Sequence, residues 1–143
     1  MVSVDLNKPK NLNFLTQGRV KLLRLAVAEK DGTPHISSVW YLWKEGHFYI
    51  TTSKDRLKVR LVRENPKVAL IVDTDVTPYR EIIVEGRAKL TKANLREITL
   101  EIVKKYVAAK YVNSEFEDLM RYPRVLIKIK PSKAIDIMSY KTR

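Results

Sequence analysis

The chain has no cysteine among its 143 residues. Disulfide frameworks, thiolate zinc sites and cysteine nucleophiles are therefore excluded, and the lack fits a reducing compartment. Glycine and proline are scarce, four and six residues respectively, and no low-complexity tract occurs, so long disordered stretches are not expected. The only histidines, His35 and His47, are too few and too far apart in sequence for a histidine-rich metal site. Each reads as a strand residue with a satisfied ring. No apolar run approaches the roughly 20 residues needed to cross a bilayer, and the opening MVSVDLNKPK lacks the apolar stretch of a signal peptide. A soluble, cytoplasmic protein is the expectation.

What the sequence does carry is positive charge. Lys and Arg total 28 against 16 for Asp and Glu, a formal net charge of +12, which would attract nucleic acid, anionic lipid or phosphorylated small molecules. A solvated surface rich in Lys, Arg and Glu, as in proteins from heat-loving sources, accounts for it equally. With 45% hydrophobic residues, the chain has material for one core and one domain spanning residues 1–143.

Along the chain, Leu12 to Gln17 suits a short helix closed by Gly18. Leu22 to Glu29 reads as a strand, Asp31-Gly32 as a hairpin turn and Pro34 to Trp43 as the return strand. After a turn at Glu45-Gly46, His47 to Thr52 completes a three-stranded meander. Ser53 to Arg63 has helical spacing and ends before Asn65-Pro66. Lys67 to Asp73 and Glu81 to Leu90 are further strands, with Gly86 marking a bulge or a close approach of backbone. Thr91 is placed to cap a long helix from Lys92 to Val112. Glu115 to Met120 forms another helical turn, and Arg124 to Met138 is a last strand pair or one long strand bent at Pro131. The sum is α+β, mainly β: a six-stranded antiparallel barrel with one short and one long helix.

The densest chemistry lies in Thr51-Thr52-Ser53-Lys54-Asp55-Arg56-Leu57-Lys58. Hydroxyls at a strand end are followed by a helix start, whose free N–H groups favour phosphate, and by two cations. Arg56 offers a bidentate fork and Lys58 a point charge. The same residues also suit a plain helix cap, by Ser53 or Asp55, beside solvated cations. Asp73 and Asp75 lack a third ligand and read as a solvated turn. Trp40, Tyr41, Trp43 and Tyr49 suit stacking on a flavin or a nucleic-acid base, or packing in the core.

The ordered set of Asp31-Gly32, Pro34-His35, Gly46, Phe48 to Thr52, Lys58, Asn65-Pro66-Lys67-Val68 and Val84-Glu85-Gly86-Arg87 resembles the pyridoxamine 5′-phosphate oxidase-like family of flavin-binding split barrels, from about Leu22 to Leu90. The resemblance implies a flavin mononucleotide (FMN) phosphate held at Thr52, Ser53, Arg56, Leu57 and Lys58. It implies an isoalloxazine ring along Ser37, Ser38, Val39 and Trp40, approached by Thr51. It further implies a homodimer with the cofactor in the interface and partner residues around Tyr79 and Arg80 completing the pocket. The ending IDIMSYKTR departs from the Arg-Leu-x-Pro-like tail that holds substrate in pyridoxamine phosphate oxidases proper, so that activity is not implied. An FMN-dependent oxidoreductase of unknown substrate is the leading expectation. A deazaflavin-dependent reductase and a non-catalytic flavin carrier are alternatives on the same fold, and a basic nucleic-acid-binding barrel is an alternative of another class.

Overall fold

A computed structural model describes residues 3–139 of the chain. Residues 140–143, part of the IDIMSYKTR segment discussed above, lie outside the described residues, as do the first two.

Helix α1 (Pro9–Thr16) is followed by strands β1 (Leu23–Ala28), β2 (Pro34–Val39), β3 (Leu42–Lys44) and β4 (His47–Ser53). Helix α2 (Leu57–Glu64), strands β5 (Lys67–Asp73) and β6 (Tyr79–Thr91), and helices α3 (Leu95–Tyr106) and α4 (Val112–Met120) come next, before the long strand β7 (Arg124–Ser139). All strand pairs are antiparallel, in one curled half-barrel sheet ordered β2-β1-β5-β6-β7-β4-β3. Alternation in each strand sends one face inward: Leu23, Leu25 and Val27 of β1, Val68, Leu70 and Val72 of β5, and Ile82 and Val84 of β6 are buried in one core. Val59, Leu61 and Val62 of α2 join that core. On the other side of β4 and β7, Tyr49 and Leu126 pack with Ile98 and Ile102 of α3.

The described residues form seven strands, not six, because the expected strand Pro34 to Trp43 is two. Tyr41 is the cause. Its ring enters the core at 1% exposure, and its hydroxyl donates to the Leu15 carbonyl at 2.7 Å. Its backbone N–H donates to the Tyr106 hydroxyl at 3.2 Å and its carbonyl accepts the Lys105 ammonium at 2.9 Å. Since a backbone polar group satisfied by a side chain is withdrawn from the ladder, the chain leaves β2 at one edge of the sheet and enters β3 at the other. The expected meander is therefore two separate hairpins, β1–β2 and β3–β4. The second turns at Glu45 and Gly46, φ +51° and +77°, the paired positive angles of a tight hairpin.

Among the described residues four α-helices form, one at each of the four segments read as helical, where the summed expectation was one short and one long. The long one stops at Tyr106, with Val107 extended, so that Val112 and Phe116 of α4 bury a separate face. Thr91 ends β6 and accepts the Ala93 N–H, while Asn94 at φ +57° precedes α3. Helix α2 begins at Leu57 because Ser53 still pairs with Arg124 in the β4–β7 ladder. The bulge expected at Gly86 is present: the β6–β7 register slips between Glu85 and Gly86. The strand expected to bend at Pro131 is a single one. Opposite Gly86 lies Pro131, whose missing N–H a bulge tolerates.

Candidate functional site

A cavity of about 260 Å³ opens between the edge strand β2 and the first turn of α2, lined by Val27, His35, Ile36, Ser37, Arg56, Leu57 and Lys58. Two elements position it. In β2, alternation turns His35 and Ser37 toward the half-buried side and leaves Ile36 73% exposed. In α2, the preceding residue Arg56 is extended and offers no side-chain cap. Neither Ser53 nor Asp55 caps the helix, so the backbone N–H groups of Leu57 and Lys58 keep no hydrogen-bond partner among the described residues. Such groups carry the partial positive charge of a helix start.

The residues singled out in the sequence divide into three groups. Ser37, Arg56, Leu57 and Lys58 meet in the cavity. Thr51 and Ser53 lie on the α3 side of β4, and Thr52 points into the core at 6% exposure. Ser38 is exposed on the outer face of β2, Val39 packs against the core, and the Trp40 ring stacks on Tyr106 with centroids 5.1 Å apart. The remaining aromatics, Tyr41, Trp43 and Tyr49, are core residues.

One residue that the sequence did not single out joins this region. Arg124, at the start of β7, donates from Nε to Thr51 Oγ1 at 3.2 Å, and Thr51 Oγ1 lies 2.9 Å from Thr99 Oγ1. Burial lowers the pKa of Arg124 and the charge of Arg56 lowers it further. The same two causes, in the same order, lower that of Lys58. The charge of Arg56 thus reaches two half-buried cations. None of the three forms an ion pair among the described residues. An anion placed among them would relieve both the desolvation and the mutual repulsion. A phosphate group, with several acceptor oxygens, fits this donor set.

Several other titratable groups are paired. Asp73 is held by Arg24 and Asp75 by Arg19. Arg80 grips Asp136 with two bonds of 2.9 Å and donates to Asn11 Oδ1, which holds the Asp136 carboxyl below the usual range. His47 meets the expectation of a satisfied ring, its Nδ1 lying 2.9 Å from the Glu45 carbonyl. His35 does not: its Nε2 is buried with no hydrogen-bond partner. No cluster of potential metal ligands occurs among the described residues, nor any helix long and apolar enough to cross a membrane.

The family model for pyridoxamine 5′-phosphate oxidase matches residues 10–137. The chain belongs to this family. Solved structures share its fold. A conserved hypothetical protein of Mycobacterium tuberculosis superposes with a TM-score of 0.77 at 19% identity, over 96% of this chain and 88% of that one. An F420 reductase gives 0.65 at 24% identity over 82% and 90%, and an FAD-binding protein of Mesorhizobium loti gives 0.58 at 23% over 81% and 82%. No curated protein matches the chain by sequence.

Proposed function

We propose that this member of the pyridoxamine 5′-phosphate oxidase family binds a phosphate-bearing flavin, FMN, and serves as an oxidoreductase. The observation that carries the reading is the pair of cations Arg56 and Lys58 lining the cavity beside two free N–H donors, with Arg124 within reach of the Arg56 charge and none of the three paired with a carboxylate among the described residues. Arg56, Lys58 and the N–H groups of Leu57 and Lys58 hold the phosphate, with Arg124 and Ser53 nearby. The ring lies along Ser37, Ser38, Val39 and Trp40, where edge-strand backbone groups are available to its polar rim. When bound, the flavin supplies hydride transfer. The chain contributes position, charge and exclusion of water.

A second reading, a deazaflavin cofactor, is favoured by the likeness to an F420 reductase. Its phosphate would occupy the same cations. In either case we place the cofactor in a homodimer interface. The outer sheet face supports a second copy: Ile71, Ile83 and Ile135 form one cross-strand row across β5, β6 and β7 and are only half-buried. Of the residues expected to complete the partner's pocket, Tyr79 is 42% exposed, whereas Arg80 is engaged within its own chain.

Titration with FMN and with a deazaflavin, followed by flavin fluorescence, tests the reading. Saturable binding of one of them supports it, and turnover with a reduced nicotinamide and an acceptor separates an oxidoreductase from a carrier. Binding of neither overturns it.

A further inference from the structure

The His35 imidazole lines the same cavity as Arg56, Lys58 and Ser37. Its two nitrogens differ. Nε2 is buried, unpartnered, and 3.8 Å from Glu29 Oε1. That is too long for a hydrogen bond but within range of an ion pair once the ring is protonated. Nδ1 makes no hydrogen bond among the described residues and is not buried. The charged groups facing the ring are Glu29 and Asp31 from the β1–β2 turn and Arg56 and Lys58 from α2.

We propose that His35 is a ligand-binding residue for the anionic end of the cofactor, and that it takes up a proton as the ligand binds. This rests on the phosphate reading above. Beside the ring, Arg56 and Lys58 have no carboxylate partner among the described residues. A bound phosphate neutralises them, after which the imidazolium donates from Nδ1 to a phosphate oxygen and turns its charged Nε2–H toward Glu29. A buried, orphaned nitrogen becomes a paired one. The ring therefore selects for a phosphorylated ligand over its dephosphorylated form.

The test is calorimetric titration of FMN and of riboflavin into the full chain, in two buffers of different ionisation enthalpy at one pH. Wild type takes up protons with FMN and fewer with riboflavin. His35→Phe weakens FMN by about tenfold, the effect of losing one hydrogen bond to a charged group, leaves riboflavin affinity unchanged, and lowers proton uptake with FMN. His35→Asn, which keeps a donor near the Nδ1 position, recovers part of the affinity without the uptake. If FMN affinity and proton uptake in His35→Phe equal those of wild type while Arg56→Ala still weakens FMN, the role of His35 is refuted and the phosphate reading stands. If wild type binds FMN no better than riboflavin, the phosphate reading falls and the role of His35 with it.

Discussion

Half-burying a cation without a counter-charge costs free energy, and Lys58 and Arg124 both carry that cost beside a third cation, Arg56. If the arrangement exists for a phosphate, removing one cation harms binding and spares the free protein. Arg56→Ala, Lys58→Ala and Arg124→Ala are each expected to weaken FMN binding by about 1.5–3 kcal/mol, the range for hydrogen bonds to charged groups. Arg124→Ala is also expected to leave the melting temperature of the unliganded protein unchanged or raised. Fluorescence titration and a thermal melt of the same samples check both statements. Arg56 and Lys58 were legible because strand end, helix start and cations fall within one short run of sequence. Arg124 was not, since only the β4–β7 register brings it across 73 positions to Thr51. The orphaned nitrogen of His35 was equally hidden, because it depends on which side of β2 the ring faces.

At the scale of elements, strand alternation and helical spacing located nearly every segment, and the split of the expected Pro34–Trp43 strand traces to side chains that take over backbone groups. Tyr41 surrenders its N–H and carbonyl to Tyr106 and Lys105, an event no period along the sequence encodes. The Lys105 ammonium, 3.4 Å above the Tyr41 ring, is pushed down to about 7, first by burial and then by the charge of Lys21. Its folded value lies below its unfolded one. The stability it contributes is therefore complete above the unfolded value and is lost as pH falls through about 7. Urea unfolding at pH 7 and pH 9 is expected to show wild type gaining on Lys105→Met by about 1 kcal/mol per pH unit. A difference between the two proteins that does not change with pH would contradict this. Gly86 was read from sequence as a bulge or a close approach, and it is both: a Cβ there would lie 2.6 Å from the Lys130 carbonyl oxygen. Gly86→Ala is accordingly expected to destabilise the fold by about 1–3 kcal/mol, the usual cost of overpacking, measured by denaturant midpoint.

For the whole molecule, helix α3 covers the outer face of the curled sheet at β4 and β7, whereas farther along that face Ile71, Ile83 and Ile135 line up half-buried across β5, β6 and β7. Burying such a row against a second copy would contribute the apolar area that a small domain lacks. Ile83→Arg is expected to convert a dimer to monomers in analytical ultracentrifugation and to weaken cofactor binding with it. A wild-type monomer at micromolar concentration would remove the interface from the account. The net charge of +12 does not decide function by itself; what the fold adds is that two of the cations, Arg56 and Lys58, line one cavity between an edge strand and a helix start. The most direct test is the absorbance spectrum of the protein purified without added cofactor, with any released chromophore identified by mass. Flavin bands and the mass of FMN are the predicted result, and a deazaflavin spectrum would keep the site while changing its ligand. A colourless protein that takes up neither cofactor on titration would contradict the central claim.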